Sequence, residues 1–145
     1  MLTILIIDDN THLQIAFKKI LTTAGYRVYL AGDGEEGLRM AFDKTPDVIV
    51  LDMLMPKMGG VEVLRTLKQD PSSAHIPVIA LSGLPQSNEF KLRKDGAVSY
   101  LEKSRLAGSE MLLQAIDYAL LLPRGDEFRQ SAFLPNLPKQ NDTSK

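Results

Sequence analysis

Four short apolar runs in this chain each end in a residue able to take part in phosphoryl chemistry. Ile4-Leu5-Ile6-Ile7 runs into Asp8-Asp9, and Val48-Ile49-Val50-Leu51 runs into Asp52. Val78-Ile79-Ala80-Leu81 meets Ser82, and Ser99-Tyr100-Leu101-Glu102 meets Lys103. Parallel sheets bury such runs and bind ligands just beyond the carboxyl ends of their strands. Three carboxylates, a hydroxyl and an ammonium are therefore expected at one rim, a set suited to one divalent metal and one phosphoryl group. Adjacent carboxylates repel, and a hard cation with oxygen ligands relieves that repulsion. Asp8 and Asp9 are the candidate metal holders. Asp52 is then free to attack phosphorus and form an acyl phosphate. The metal and Lys103 would offset charge on the transferring group, and the Ser82 hydroxyl could donate to it.

Each residue alone has a plainer reading. Asp9 or Asn10 before a helix is an ordinary N-cap. Asp52 could be a turn carboxylate, Ser82-Gly83 is a turn signal, and an isolated lysine is usually a solvated one. The combination carries the inference, because independent caps and turns do not require matching groups at the same end of separate strands.

The elements that must position these groups follow from periodicity. Leu13, Ala16, Phe17, Ile20, Leu21 and Ala24 have helical spacing, and Gly25 stops that helix. Tyr26 to Leu30 reads as a strand. Asp33 with Glu36 looks like a capping box, opening a helix expected to bury Leu38, Ala41 and Phe42 before Thr45-Pro46 ends it. The loop Met55 to Gly60 leads to a helix with Val61, Leu64 and Leu67 inward, closed at Asp70-Pro71. Gln86 to Lys94 forms a polar helix ending at Gly96, and Ala107 to Leu122 a strongly amphipathic one. Five strands alternating with five helices predict an α/β layer fold with a parallel sheet. Residues 1–122 are expected to be one domain. Residues 123–145 read as a flexible tail whose only anchors are Phe128, Phe133, Leu134 and Leu137.

Composition bounds the function. The chain has 145 residues, 44% of them hydrophobic, and a net charge of −1. No pull toward nucleic acid or an anionic membrane is expected from that charge. The absence of cysteine excludes disulfides, thiolate metal sites and cysteine nucleophiles. The N-terminal apolar run is too short for a membrane span and lacks a basic lead, so cytoplasmic residence is expected.

Residues 1 to about 122 resemble the receiver domain of two-component response regulators. The resemblance rests on Ile-Ile-Asp8-Asp9-Asn10, on Asp52-Met53-Leu54-Met55-Pro56 with Gly60, on Leu81-Ser82-Gly83, and on Tyr100-Leu101-Glu102-Lys103, in that order and spacing. It implies a flavodoxin-like (βα)5 sheet of strand order 2-1-3-4-5. It further implies that Asp52 accepts phosphate from a histidine kinase or histidine phosphotransfer protein. Mg2+ would bind Asp8, Asp9, Asp52 and the backbone carbonyl of Leu54, with Lys103 pairing to the phosphoryl group. Ser82 and Tyr100 would act as the switch pair, reshaping the face of the fourth helix, fifth strand and fifth helix for a protein target. A monomer or a phosphorylation-linked dimer is compatible with this.

Three positions depart from the family's usual pattern. Ser104 replaces the common proline after the lysine, leaving the Lys103–Ser104 bond either trans or strained, since a non-proline cis bond costs about 3 kcal/mol. Ser82 stands for the more frequent threonine. Leu54 and Leu84 occupy the two positions that tune dephosphorylation; both are apolar, which predicts slow loss of the phosphoryl group. The function expected is a phosphorylation switch with protein–protein output, no further domain being expected in the last 23 residues, and not a turnover enzyme. A phosphorylation-independent adaptor of the same fold is the alternative. An aspartate-nucleophile phosphatase fits less well, because it needs two acids spaced by one residue after the first strand.

Overall fold

The computed structural model describes residues 1–83, 89–106 and 108–123. Five parallel strands form one sheet in the order β2-β1-β3-β4-β5: β1 (Thr3–Ile7), β2 (Arg27–Ala31), β3 (Val48–Asp52), β4 (Val78–Ser82) and β5 (Ser99–Glu102). Between and after them lie α1 (Thr11–Thr23), α2 (Gly34–Lys44), α3 (Gly60–Gln69), α4 (Glu89–Lys94) and α5 (Glu110–Leu121). The flavodoxin-like order expected from the resemblance is the order observed.

Strand alternation divides the core in two. Leu5, Ile7, Ile49, Leu51, Val78 and Ala80 pack with Ala41, Val63, Leu64, Leu67 and Leu92 from α2, α3 and α4. Ile4, Ile6, Val48, Val50, Ile79, Leu81 and Leu101 pack with Phe17, Leu21, Leu112 and Ile116 from α1 and α5. Both faces being covered, β1, β3 and β4 are continuous apolar runs rather than alternating ones. Their ends are therefore the first places where a charged side chain can stand.

Helix ends set where those ends lie. After α1 the backbone N–H of Gly25 donates to Thr22 and that of Tyr26 to Leu21, closing a Schellman turn with Gly25 at φ 100°. Tyr26 belongs to this turn, so β2 begins one residue later than expected. Asp33 caps α2 by accepting from the Glu36 N–H at 2.8 Å. Glu36 reaches back to the N–H of Gly32 at 2.8 Å, one residue beyond the N-cap that a capping box would satisfy.

The buried seam of α2 differs from expectation. Gly34, Gly37 and Ala41 form it, with Leu38 and Met40 partly buried beside it. Phe42 is 40% exposed, because it lies about 100° round the helix from Ala41. Likewise Ala16 of α1 and its C-cap Ala24 are exposed. Residue 107 and the start of the polar helix at Gln86 lie outside the described residues, as do Leu84 and residues 124–145 with their apolar anchors. The last helix starts at Glu110, later than expected, because Gly108 at φ 103° breaks the helical backbone before the N-cap Ser109. Among the described residues, no helix is long and apolar enough to cross a membrane.

Candidate phosphoacceptor site

Register places the site. Ile7 pairs with Leu51, so Asp8 stands level with Asp52, and Ser82 pairs with Glu102, one residue before Lys103. Asp8, Asp52 and Lys103 continue the parity of Ile6, Val50 and Leu101, so all three leave the sheet toward the α1 and α5 side. Ser82 has the opposite parity and is fully buried.

The convergence is tight. Lys103 Nζ lies 3.3 Å from Asp52 Oδ2 and 3.4 Å from Asp8 Oδ2. Both carboxylates are buried, while the lysine side chain is 30% exposed. Carboxylate oxygens of Asp8, Asp9 and Asp52 all lie within 4.8 Å of one another. The Lys103–Ser104 bond is trans, no cis bond occurring among the described residues. The ammonium reaches both acids without a proline turn or a strained peptide behind it.

Local backbone fixes one oxygen of each buried acid and leaves the other. Asp8 Oδ1 accepts the N–H of Asn10 at 2.8 Å, and Asp52 Oδ1 accepts the N–H of Leu54 at 3.1 Å. Asp8 Oδ2 and Asp52 Oδ2 are buried and accept no hydrogen bond. The Lys103 ammonium is the cation facing both oxygens, paired with each at 3.3–3.4 Å. Burial pushes the Asp52 carboxyl up to about 6; the Leu54 N–H opposes this, the Asp8 charge adds to it, and Lys103 opposes it. Two buried oxygens left without donors, beside an exposed third carboxylate, suit a hard divalent cation that takes oxygen ligands and keeps some of its water.

The N-cap question separates Asp9 from its neighbour. Asn10, not Asp9, caps α1, accepting the Leu13 N–H at 3.1 Å. Asp9 is exposed beside the buried pair. Leu54 is 54% exposed in the loop after β3. Tyr100 is partly buried against the core on the α2 to α4 face.

One positioning residue escapes sequence reading. The Gln14 side-chain amide donates to the backbone carbonyl of Asp8 at 2.7 Å and to that of Ala31 at 3.0 Å. It ties the loop after β1 to the end of β2. A glutamine in the first turns of a helix is an ordinary surface residue, so no sequence signal marks it. Gly60 is the other fixed point. A Cβ there would stand 2.5 Å from Met53 Cα and 2.6 Å from Asp52 O, so only glycine lets α3 start this close to the strand end.

A profile of the response regulator receiver domain matches residues 4–117. The chain belongs to that family. This receiver domain is 31% identical over 102 residues to the polar-differentiation response regulator DivK of Brucella anthropi, covering 70% of this chain and 83% of that one. It is 38% identical over 117 residues to a gliding motility regulatory protein of Myxococcus xanthus. That match covers 80% of this chain but only 15% of the Myxococcus protein. Among solved structures, a receiver domain protein of Clostridium thermocellum superposes with TM-score 0.75 at 33% identity, covering 83% of this chain and 94% of that one. The chemotaxis protein CheY4 of Vibrio cholerae gives 0.76 at 28% identity, with 83% and 99% covered. Receiver domains are the phosphorylation-dependent signalling modules of two-component systems and not conventional enzymes.

Proposed function

We propose that this receiver domain is a switch phosphorylated on Asp52. The observation that carries the reading is the buried Asp52 Oδ2, without a hydrogen-bond donor and 3.3 Å from the Lys103 ammonium. The donor is a phosphohistidine on a histidine kinase or phosphotransfer protein. Asp52 Oδ2 attacks phosphorus, the P–N bond breaks, and the imidazole leaves with the bonding pair. Asp8, Asp9, Asp52 and the Leu54 carbonyl would hold Mg2+. That ion supplies charge neutralisation for the phosphoryl oxygens and relief for the crowded acids. Lys103 turns from its two carboxylates toward the new phosphoryl charge. Ser82 donates its hydroxyl to a phosphoryl oxygen, and Tyr100 repacks beside it. The surface of α4, β5 and α5 then changes and selects a protein target in the cytoplasm. Residues 1–122 carry this switch, and residues 123–145 lie outside it.

Apolar Leu54 shields the phosphoryl group instead of orienting an attacking water, which makes self-dephosphorylation slow. The Lys103 ammonium within 3.4 Å of two buried acids supports the switch reading over a phosphorylation-independent adaptor of the same fold.

The test is intact mass after incubation with Mg2+ and acetyl phosphate or a phosphorylated histidine phosphotransfer protein. The expected result is one added phosphoryl group on the wild type and none on Asp52→Asn. Absence of any addition from both donors, with the fold intact and the target bound equally by both forms, overturns the switch reading.

A further inference from the structure

At the opposite end of the sheet from Asp52 lies a groove of about 490 Å³. Its walls are mostly apolar, formed by Pro71, Ala74, Pro77, Val98 and Pro123, with Lys68 on one side. That volume is within the usual range of ligand pockets, roughly 300–1,000 Å³, yet polar groups do not converge on it as they do in a small-molecule site. Lys68 Nζ donates to the carbonyls of Ala74 at 3.1 Å and Ile76 at 2.7 Å. An ammonium has three donors, so one remains for an incoming acceptor. His75 stands at the rim.

We infer that this groove is the docking site of the chain's own C-terminal segment, with Phe128 seated in the groove and Asp126 or Glu127 beside Lys68. Three observations select that occupant. Pro123, the last described residue, is itself part of the wall, so the chain leaves the domain at the groove. Phe128 is the first large apolar residue after that exit. Five residues of extended chain span about 17 Å, enough to fold back without strain. The residues just before Phe128 are Asp126 and Glu127, opposite in sign to Lys68. Burial holds the Lys68 ammonium down at about 8, and a carboxylate at its third N–H favours its charged form. Tethering adds to the preference, because a short linker presents Phe128 at millimolar effective concentration, ahead of a second copy in dilute solution. The inference stands apart from the switch reading, since the groove shares no residue with the acid cluster.

The absence of cysteine makes the test clean. Ser131→Cys in the full chain carries a single nitroxide, and amide signals are followed by NMR. The expected result is strong broadening at Ala74, Gly96 and Val98, independent of protein concentration and lost when Phe128→Asp is added. Both substitutions fall after Pro123, the last described residue, and circular dichroism of each variant checks that the fold is kept. Broadening confined to other faces, or none at all, overturns the inference. So does broadening that appears only between labelled and isotopically marked copies, which would make the occupant a second molecule. Broadening that persists with Phe128→Asp removes Phe128 as the anchor and overturns the docking mode.

Discussion

Replacing Asp52 by asparagine should make the metal-free protein more stable. Asp52 has 1% of its side chain exposed, and its carboxyl is pushed up from 3.8 to about 6. An acid whose folded value is raised is favoured neutral in the fold, so this group costs nothing below about pH 3 and its penalty grows as pH rises through the range 4 to 6. At about 1.4 kcal/mol per pH unit, the full penalty above the folded value is about 3 kcal/mol. Asp52→Asn removes the charge and keeps an oxygen for the Leu54 N–H. The variant should therefore gain about 2–3 kcal/mol near pH 7.5 without metal. The same relation leaves a gain of only about 1 kcal/mol near pH 4.5. Urea unfolding followed by far-UV circular dichroism, with a chelator present, reads this directly. With a urea slope of roughly 1–3 kcal/mol per molar, the midpoint should rise by about 1–2 M at the higher pH. Added Mg2+ should narrow the gap, since it stabilises the wild type by mass action and the variant less. A variant no more stable than wild type at pH near 7.5, or a gain that does not shrink toward pH 4.5, refutes the claim that burial of an ionised Asp52 strains this fold.

The other expectations follow from single contacts. Leu54→Asn should speed decay of the phosphorylated protein, measured as loss of the added mass over time; decay no faster than wild type removes Leu54 as a shield. Gly60→Ala places a methyl against backbone at Met53 and Asp52, which should cost about 1–3 kcal/mol in urea melts and lower phosphorylation with it. Gln14→Leu leaves the carbonyls of Asp8 and Ala31 without its donor; a loss of about 1–3 kcal/mol and weaker Mg2+ binding by titration calorimetry are expected, and unchanged Mg2+ affinity would restrict Gln14 to a structural role.

The sheet and most of the site were legible because parallel strands buried on both faces must be unbroken apolar runs. A polar residue at such a run's end marks the rim by necessity, and Asp8, Asp52 and Lys103 meet there as read. Less legible was whatever depends on close approach rather than on hydrophobicity. The seam of α2 is made by Gly34, Gly37 and Ala41, so the large Phe42 drew an expectation of burial that the tighter packing denies. Gly60 was visible as part of a motif, but its reason, a strand end within contact of the helix start, is a distance no sequence pattern carries. Gln14 acts through two carbonyls from different strands, and backbone partners leave no trace in residue type. The trans Lys103–Ser104 bond was open on sequence alone and closes in favour of the simpler geometry.

The strain at the site also bears on which function the fold serves. A protein using this fold only as a binding surface gains nothing from two buried carboxylate oxygens that lack hydrogen bonds. Asparagine at position 52 would serve such an adaptor better by the margin worked out above. A switch, by contrast, needs a site whose charge balance changes with occupancy. Here Lys103 is held by two acids at nearly equal distance, so neutralising those acids and adding a phosphoryl group on Asp52 removes both of its ties at once. On the proposed reading the ammonium would then follow the new charge, and Lys103 is the first residue after β5, the strand that also carries Tyr100. The proposed switch would in this way couple the penalty at Asp52 to β5, the arrangement a phosphorylation-driven equilibrium requires.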